Sequence, residues 1–116
     1  MMKLSMTYKP YTIIAVPFPF TDSSQTKKRP ALVISSEHHQ SKTGHVSLLM
    51  VTTAKSSHWY DDHFIIDLAS AGLNIASIIR QKIFTIDSRL IIKKIGILGN
   101  EDQQKVATLI RKYIYI

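Results

Sequence analysis

Apolar residues in this chain come in short bursts, and that spacing limits the fold more than any other feature. "YTIIAVPFPF", "RPALVISS", "HVSLLMVTT", "HFIIDL", "IASIIRQKIFTID" and "LIIKKIGIL" follow one another within 116 residues. Each holds an apolar run of about four to eight residues, the length of a strand and too short for a buried helix. Recurrence at this close spacing predicts a small antiparallel sandwich or barrel. Pro17 and Pro19 confine the end of the first run to an edge or a bend, because proline cannot donate to a ladder. "EHHQSKTG" reads as a polar connection ending in a turn at Gly44, and "AKSSHWYDD" as a second polar loop whose first half can hold a helical turn. "ASAGLN" is one more short run. The terminal segment alone reads as a helix. There Asn100 serves as cap and Gln103 completes a capping box, while Val106, Leu109, Ile110 and Tyr113 form one apolar face. No linker or internal repeat divides the chain, so residues 1–116 read as a single domain, mainly β and closed by a C-terminal helix.

Charge narrows the partners. Fifteen Lys and Arg against eight Asp and Glu leave a net charge of +7. A domain this basic suits phosphates or an acidic protein. The absence of cysteine excludes disulfides, thiolate chemistry and cysteine-ligated zinc. No apolar run approaches the roughly 20 residues a membrane span needs. The N-terminal "MMKLSMTYKPYT" lacks the apolar stretch of a signal peptide, so a cytoplasmic protein with no membrane partner is expected.

The cations are not scattered. Arg29 lies where a polar loop re-enters a strand beside Pro30, and a guanidinium rooted there can grip a phosphate with two parallel hydrogen bonds. Lys27 and Lys28 precede it and read as electrostatic steering, or as a solvated cationic turn. Thr52 and Thr53 end the third strand, where a hydroxyl can donate to a phosphate or merely finish the strand. Arg80 closes an apolar run, and Lys82 follows two residues later on what alternation makes the same side. That pair is either a second phosphate clamp or a guard against edge aggregation. His38, His39, His45, His58 and His63 match no metal motif, and pairing His58 or His63 with Asp61 or Asp62 has no defined spacing behind it. Trp59 and Tyr60 suit a loop that stacks on a base or packs on a neighbouring subunit.

Taken in order, "VPFPFTD…KKRPALVIS", then "TTA" at a strand end, then "AGL…SIIR" and "KIFTID…IIKKIG" resemble the MazF/PemK family of bacterial toxins. The resemblance runs from about Ile13 to Leu98. It implies an SH3-like β-barrel with a C-terminal helix, normally a homodimer. The activity it implies is a sequence-selective endoribonuclease on single-stranded RNA that needs no metal or other cofactor and is neutralised by an acidic antitoxin. The family's active-site arginine falls on Arg29, its strand-end hydroxyl on Thr53 because Ala54 matches the small residue that follows, and a second arginine on Arg80. With these, Lys27, Lys28, Arg80 and Lys82 become the expected substrate-binding cations. The loops of residues 21–28 and 54–62 become the expected readers of RNA.

This sequence departs from the family twice. Many members carry Gly-Asp where it has Tyr11-Thr12, and some carry an aspartate shortly after the second arginine where it has Gln81 and Lys82. Metal-free RNA cleavage proceeds by attack of the 2′-hydroxyl on the adjacent phosphate. Arginine is a poor base at neutral pH, so the expected contribution is positioning and charge stabilisation at Arg29 and Thr53. The competing expectation is a non-catalytic relative of the same fold that binds a protein target such as DNA gyrase.

Overall fold

The computed structural model describes residues 6–18, 27–55 and 58–114. Pro19, most of the loop of residues 21–28, and residues 56 and 57 of the second loop lie outside them. Six strands form one curled antiparallel sheet: β1 (Thr12–Phe18), β2 (Lys27–Val33), β3 (His45–Thr53), β4 (His63–Phe64), β5 (Ser77–Asp87) and β6 (Lys93–Ile97). Their spatial order is β4-β5-β3-β2-β1-β6. The predicted mainly-β architecture and C-terminal helix are both present.

Period-two alternation gives the sheet two apolar faces. On one, Ile13, Leu32, Leu49, Val51 and Ile79 pack with Ile65, Ala71, Leu98 and Val106. On the other, Ile14, Val16, Ala31, Val33, Val46, Leu48 and Ile86 form a second cluster. The register explains the grouping, since Ile13 lies opposite Leu32 and Leu32 opposite Leu49. A slip of one residue would exchange the faces.

Both described prolines of the cationic segment sit where the ladder has lost a neighbour. β6 pairs with β1 only as far as Ala15, leaving Pro17 bonded on one side. β3 pairs with β2 from Ala31 onward, so Pro30 also borders a single partner. The expectation of an edge at Pro17 therefore holds.

Among the described residues three α-helices are present where one was expected. The polar "EHHQSKT" is α1 (Glu37–Thr43), capped by the Ser36 side chain, which accepts from His39 N, and closed by Gly44 in the left-handed conformation. No apolar stripe announces it. Its one buried side chain is Gln40, whose amide accepts from Tyr8 N at 2.9 Å and donates to Tyr8 O at 2.7 Å and Ser35 O at 3.1 Å. The second addition, α2 (Leu68–Ala71), is capped by Asp67 and ended by Gly72. Gly72 has φ +75°, and a Cβ there would stand 2.3 Å from Ile95 O, so both conformation and space require glycine.

The terminal helix α3 spans Asn100–Tyr113, but its cap differs from expectation. Gly99 is the N-cap, Asn100 is already helical, and the Gln103 amide donates to Leu98 O at 2.7 Å. What fastens this end is Asp102, 1% exposed. Its carboxylate accepts from Ile66 N at 2.9 Å, Asp67 N at 3.0 Å and His63 Nε2 at 2.6 Å. Val106 and Ile110 dock the next turns, while Tyr113 is mostly a surface residue at the far end.

The Tyr11 backbone has φ +71°. A glycine adopts that conformation freely, and a non-glycine residue there costs about 1 kcal/mol or more. Tyr11 adopts this bend without being glycine, and its ring packs against the first core cluster.

Candidate active site

The second face continues past its apolar core into a pocket of about 170 Å³ lined by Val16, Phe18, Arg29, Pro30, Met50, Val51, Thr52, Lys82 and Phe84, with Val51, whose side chain belongs to the first cluster, meeting it along the strand. The ladder brings these together. Val16 lies opposite Arg29, and Met50 opposite Ala31, so Val16, Arg29 and Met50 point to one side of the sheet. Arg29 is exposed at the end of β2. Among the described residues, neither Arg29 nor Lys82 has a carboxylate partner.

Lys82 owes its place to an irregularity in β5. Leu49 pairs with Ile83 while Met50 pairs with Arg80, which leaves Gln81 and Lys82 without opposite residues. Two extra residues keep the alternation, so Arg80 and Lys82 stay on one side of the sheet and differ in what their side chains reach. Lys82 lines the pocket and Arg80 does not. The Arg80 guanidinium is instead held by Asp62, with Nε to Oδ1 at 3.2 Å and Nη2 to Oδ2 at 2.9 Å. Its Cζ also lies 5.0 Å from the centre of the Trp59 ring. Asp62 was not singled out as its partner by the sequence, because the pair forms 18 residues apart across a loop.

Strand parity separates the two threonines. Thr52 is on the side of Met50 and lines the pocket. Thr53 follows Leu49 and Val51 to the opposite face and lies opposite Ser77. The hydroxyl beside Arg29 is therefore that of Thr52. Lys27 and Lys28 belong to β2 itself, opposite Phe18 and Pro17. By the same alternation Lys27 shares the face of Arg29, and Lys28 takes the other.

The histidines lie elsewhere. His63 is bonded to Asp102, while His58 leans on Phe64 with ring centres 5.4 Å apart. Asp61 accepts from the Tyr113 hydroxyl and from Lys112 Nζ at 3.0 Å, and the Tyr113 hydrogen bond first of all holds its carboxyl below the usual carboxylate range. His58, His63, Asp61 and Asp62 thus turn to separate neighbours and not to one another. None of them lines the pocket, whose ionisable groups are Arg29 and Lys82.

The fold agrees with the family that the sequence matches. Residues 9–114 match the family described as PemK-like, MazF-like toxin of type II toxin–antitoxin system. No curated protein matches the chain. Among solved structures it is similar to a MazE–MazF crystal form from Deinococcus radiodurans, with TM-score 0.72 and 15% identity over 92% of this chain and 95% of that one. It is also similar to the Mycobacterium tuberculosis toxin MazF-mt6, with TM-score 0.68 and 20% identity over 87% and 93% of the two chains. A mycobacterial endoribonuclease in complex with its cognate antitoxin matches with TM-score 0.61 and 12% identity over 91% of each chain. At such identities the structures speak for the fold alone. The family match spans nearly the whole sequence, and the chain belongs to the PemK-like, MazF-like toxins of type II toxin–antitoxin systems.

Proposed function

We propose that this toxin is an endoribonuclease that cuts single-stranded RNA at the Arg29 pocket without a metal. The observation that carries this reading is the meeting of two cations, Arg29 and Lys82, with Thr52 in one apolar-walled pocket. In the proposed reaction the 2′-hydroxyl of a nucleotide attacks its own 3′-phosphate and the 5′-oxygen of the next nucleotide leaves. The products are a 2′,3′-cyclic phosphate and a free 5′-hydroxyl. Negative charge gathers on the non-bridging oxygens as the fifth bond forms. Arg29 presents parallel N–H donors to those oxygens, and Thr52 donates a third hydrogen bond. Lys82 holds a flanking phosphate as a point charge, and Lys27 adds field on the same face. Phe18, Met50 and Phe84 keep water from the far side of the pocket, which strengthens each of these interactions.

Arg80 takes a different part here from the one the sequence suggested. Bound by Asp62, it fixes the loop beside the site instead of gripping phosphate. The same basic face suits an acidic antitoxin segment, which would compete with RNA for Arg29 and Lys82. Solved relatives crystallised with their antitoxins support that partner. A homodimer and a cytoplasmic site of action complete the proposal. No helix among the described residues is long and apolar enough to cross a membrane.

The test is cleavage of a long unstructured RNA by purified protein in the presence of EDTA. Discrete cuts are expected, and intact RNA would oppose the reading. The two threonines then discriminate within the site. Thr52→Val should lower the cleavage rate by about tenfold to hundredfold, the range for losing one hydrogen bond to a developing charge. Thr53→Val should leave it within about twofold. The reverse order would return the role to Thr53.

A further inference from the structure

Trp59 lies outside the Arg29 pocket and takes no part in the chemistry proposed above. It is the chain's single tryptophan, and it is 47% exposed. An indole this open has a reason to be so, since exposing it forgoes the burial of a large apolar ring. Its backbone is held. Its backbone N–H donates to Asp62 Oδ2 at 2.7 Å, the same carboxylate that holds Arg80 at both Nε and Nη2. Asp62 therefore clips the loop backbone and the guanidinium into one unit, with Arg80 Cζ 5.0 Å from the indole centre. With Arg80 against one face of the ring, the exposed area belongs to the other face and the edge.

The position of this unit says what the open face meets. Arg80 is the ladder partner of Met50, which lines the pocket and is in turn opposite Ala31, two residues from Arg29 on the same side of β2. The row from β5 to β2 crosses two strand spacings, roughly 10 Å. A strand of RNA with its phosphate at Arg29 and Lys82 that ran along this row would bring a neighbouring base toward Trp59.

We infer that Trp59 is a base-stacking platform for the single-stranded RNA substrate, backed by Arg80 and set by Asp62. The inference rests on the ribonuclease reading and adds a subsite to it. Stacking asks only for a π-face, so this subsite favours single strands over duplex while discriminating weakly among bases. Arg80 and Asp62 are positioning residues in this scheme, acting through the ring.

Being the only tryptophan, Trp59 reports on itself. The probe is a short random-sequence 2′-O-methyl oligonucleotide, which binds but cannot be cut because its attacking hydroxyl is blocked. Binding is followed by the anisotropy of a label on the oligonucleotide and by Trp59 emission in the same titration. Both signals should saturate together, with the emission quenched, and an abasic oligonucleotide of equal length should bind without the quench. Trp59→Leu should weaken anisotropy-detected binding and raise KM for cleavable RNA by about tenfold with little change in kcat, and Trp59→Phe should restore most of the loss.

Saturating anisotropy with unmoved Trp59 emission would overturn the platform and leave the ribonuclease reading standing. No binding of the oligonucleotide would overturn both. Emission that changes with protein concentration alone, and not with RNA, would assign the ring to contact with a second copy and also overturn the platform.

Discussion

Replacing Arg29 with alanine should lower RNA cleavage by about three orders of magnitude while the fold survives. Removing one preorganised donor from a developing oxyanion costs about a hundredfold to a thousandfold in kcat. Arg29 stands at the upper end because it supplies two donors and a full charge, in a pocket whose only other cation among the described residues is Lys82. Arg29→Lys should recover part of the rate and leave a deficit of about tenfold or more, because an ammonium offers charge without the planar fork. Stability should change by less than about 0.5 kcal/mol, since the side chain is exposed and bonded to no described residue. Rates on a labelled RNA, paired with urea denaturation of each variant, check the claim. A folded alanine variant that cuts at the parental rate would remove Arg29 from the site.

The second large effect concerns the attachment of α3. Asp102→Ala should cost about 3 kcal/mol or more, a large share of the stability of a domain this size. The substitution strands His63 and leaves the N–H groups of Ile66 and Asp67 without their acceptor. Losing one partner from a buried cluster is worse than losing the cluster, because the remaining groups keep their desolvation cost. Urea denaturation measures it, and a midpoint unchanged from the parent would show that α3 is fastened by Val106 and Ile110 alone.

The same carboxylate sets an acid limit. Burial raises the Asp102 carboxyl, but the Asp67 and Ile66 N–H donors and His63 outweigh it and hold the carboxyl below its usual range. A group whose folded pKa lies below its unfolded one stabilises fully above the unfolded value, about 3.9 for aspartate. That stabilisation is lost as pH falls through the still lower folded value. The gap in stability between parent and Asp102→Ala should therefore be constant near neutrality and narrow only below about pH 4.

What the sequence announced and what it concealed divide along physical lines. Strands such as β1 and β3 were legible because their burial repeats every two residues over a long apolar run. Helix α1 was not, because it buries one side chain, Gln40, and does so through hydrogen bonds that no hydropathy pattern records. Arg29 was legible from its place at a strand end beside Pro30. The choice between Thr52 and Thr53 hung on strand parity, which could have been counted from Leu49 and Val51 had their face been known. The parting of Arg80 from Lys82 comes from the Asp62 carboxylate that holds Arg80, and the β5 bulge at Gln81 has no glycine or proline to mark it. The partners of Asp62 and Asp102 are long-range contacts, visible only once the chain is folded.

The chemistry of the cut ends tests the central claim most directly. RNA digested by the purified toxin in EDTA can be offered to a kinase that labels free 5′-hydroxyls, and its 3′ ends analysed by mass. In-line attack by the 2′-hydroxyl at the Arg29 pocket predicts fragments with 5′-hydroxyl and 2′,3′-cyclic phosphate termini, formed by the parent and not by Arg29→Ala. Fragments bearing 5′-phosphates, or RNA left whole by the folded parent, would contradict it.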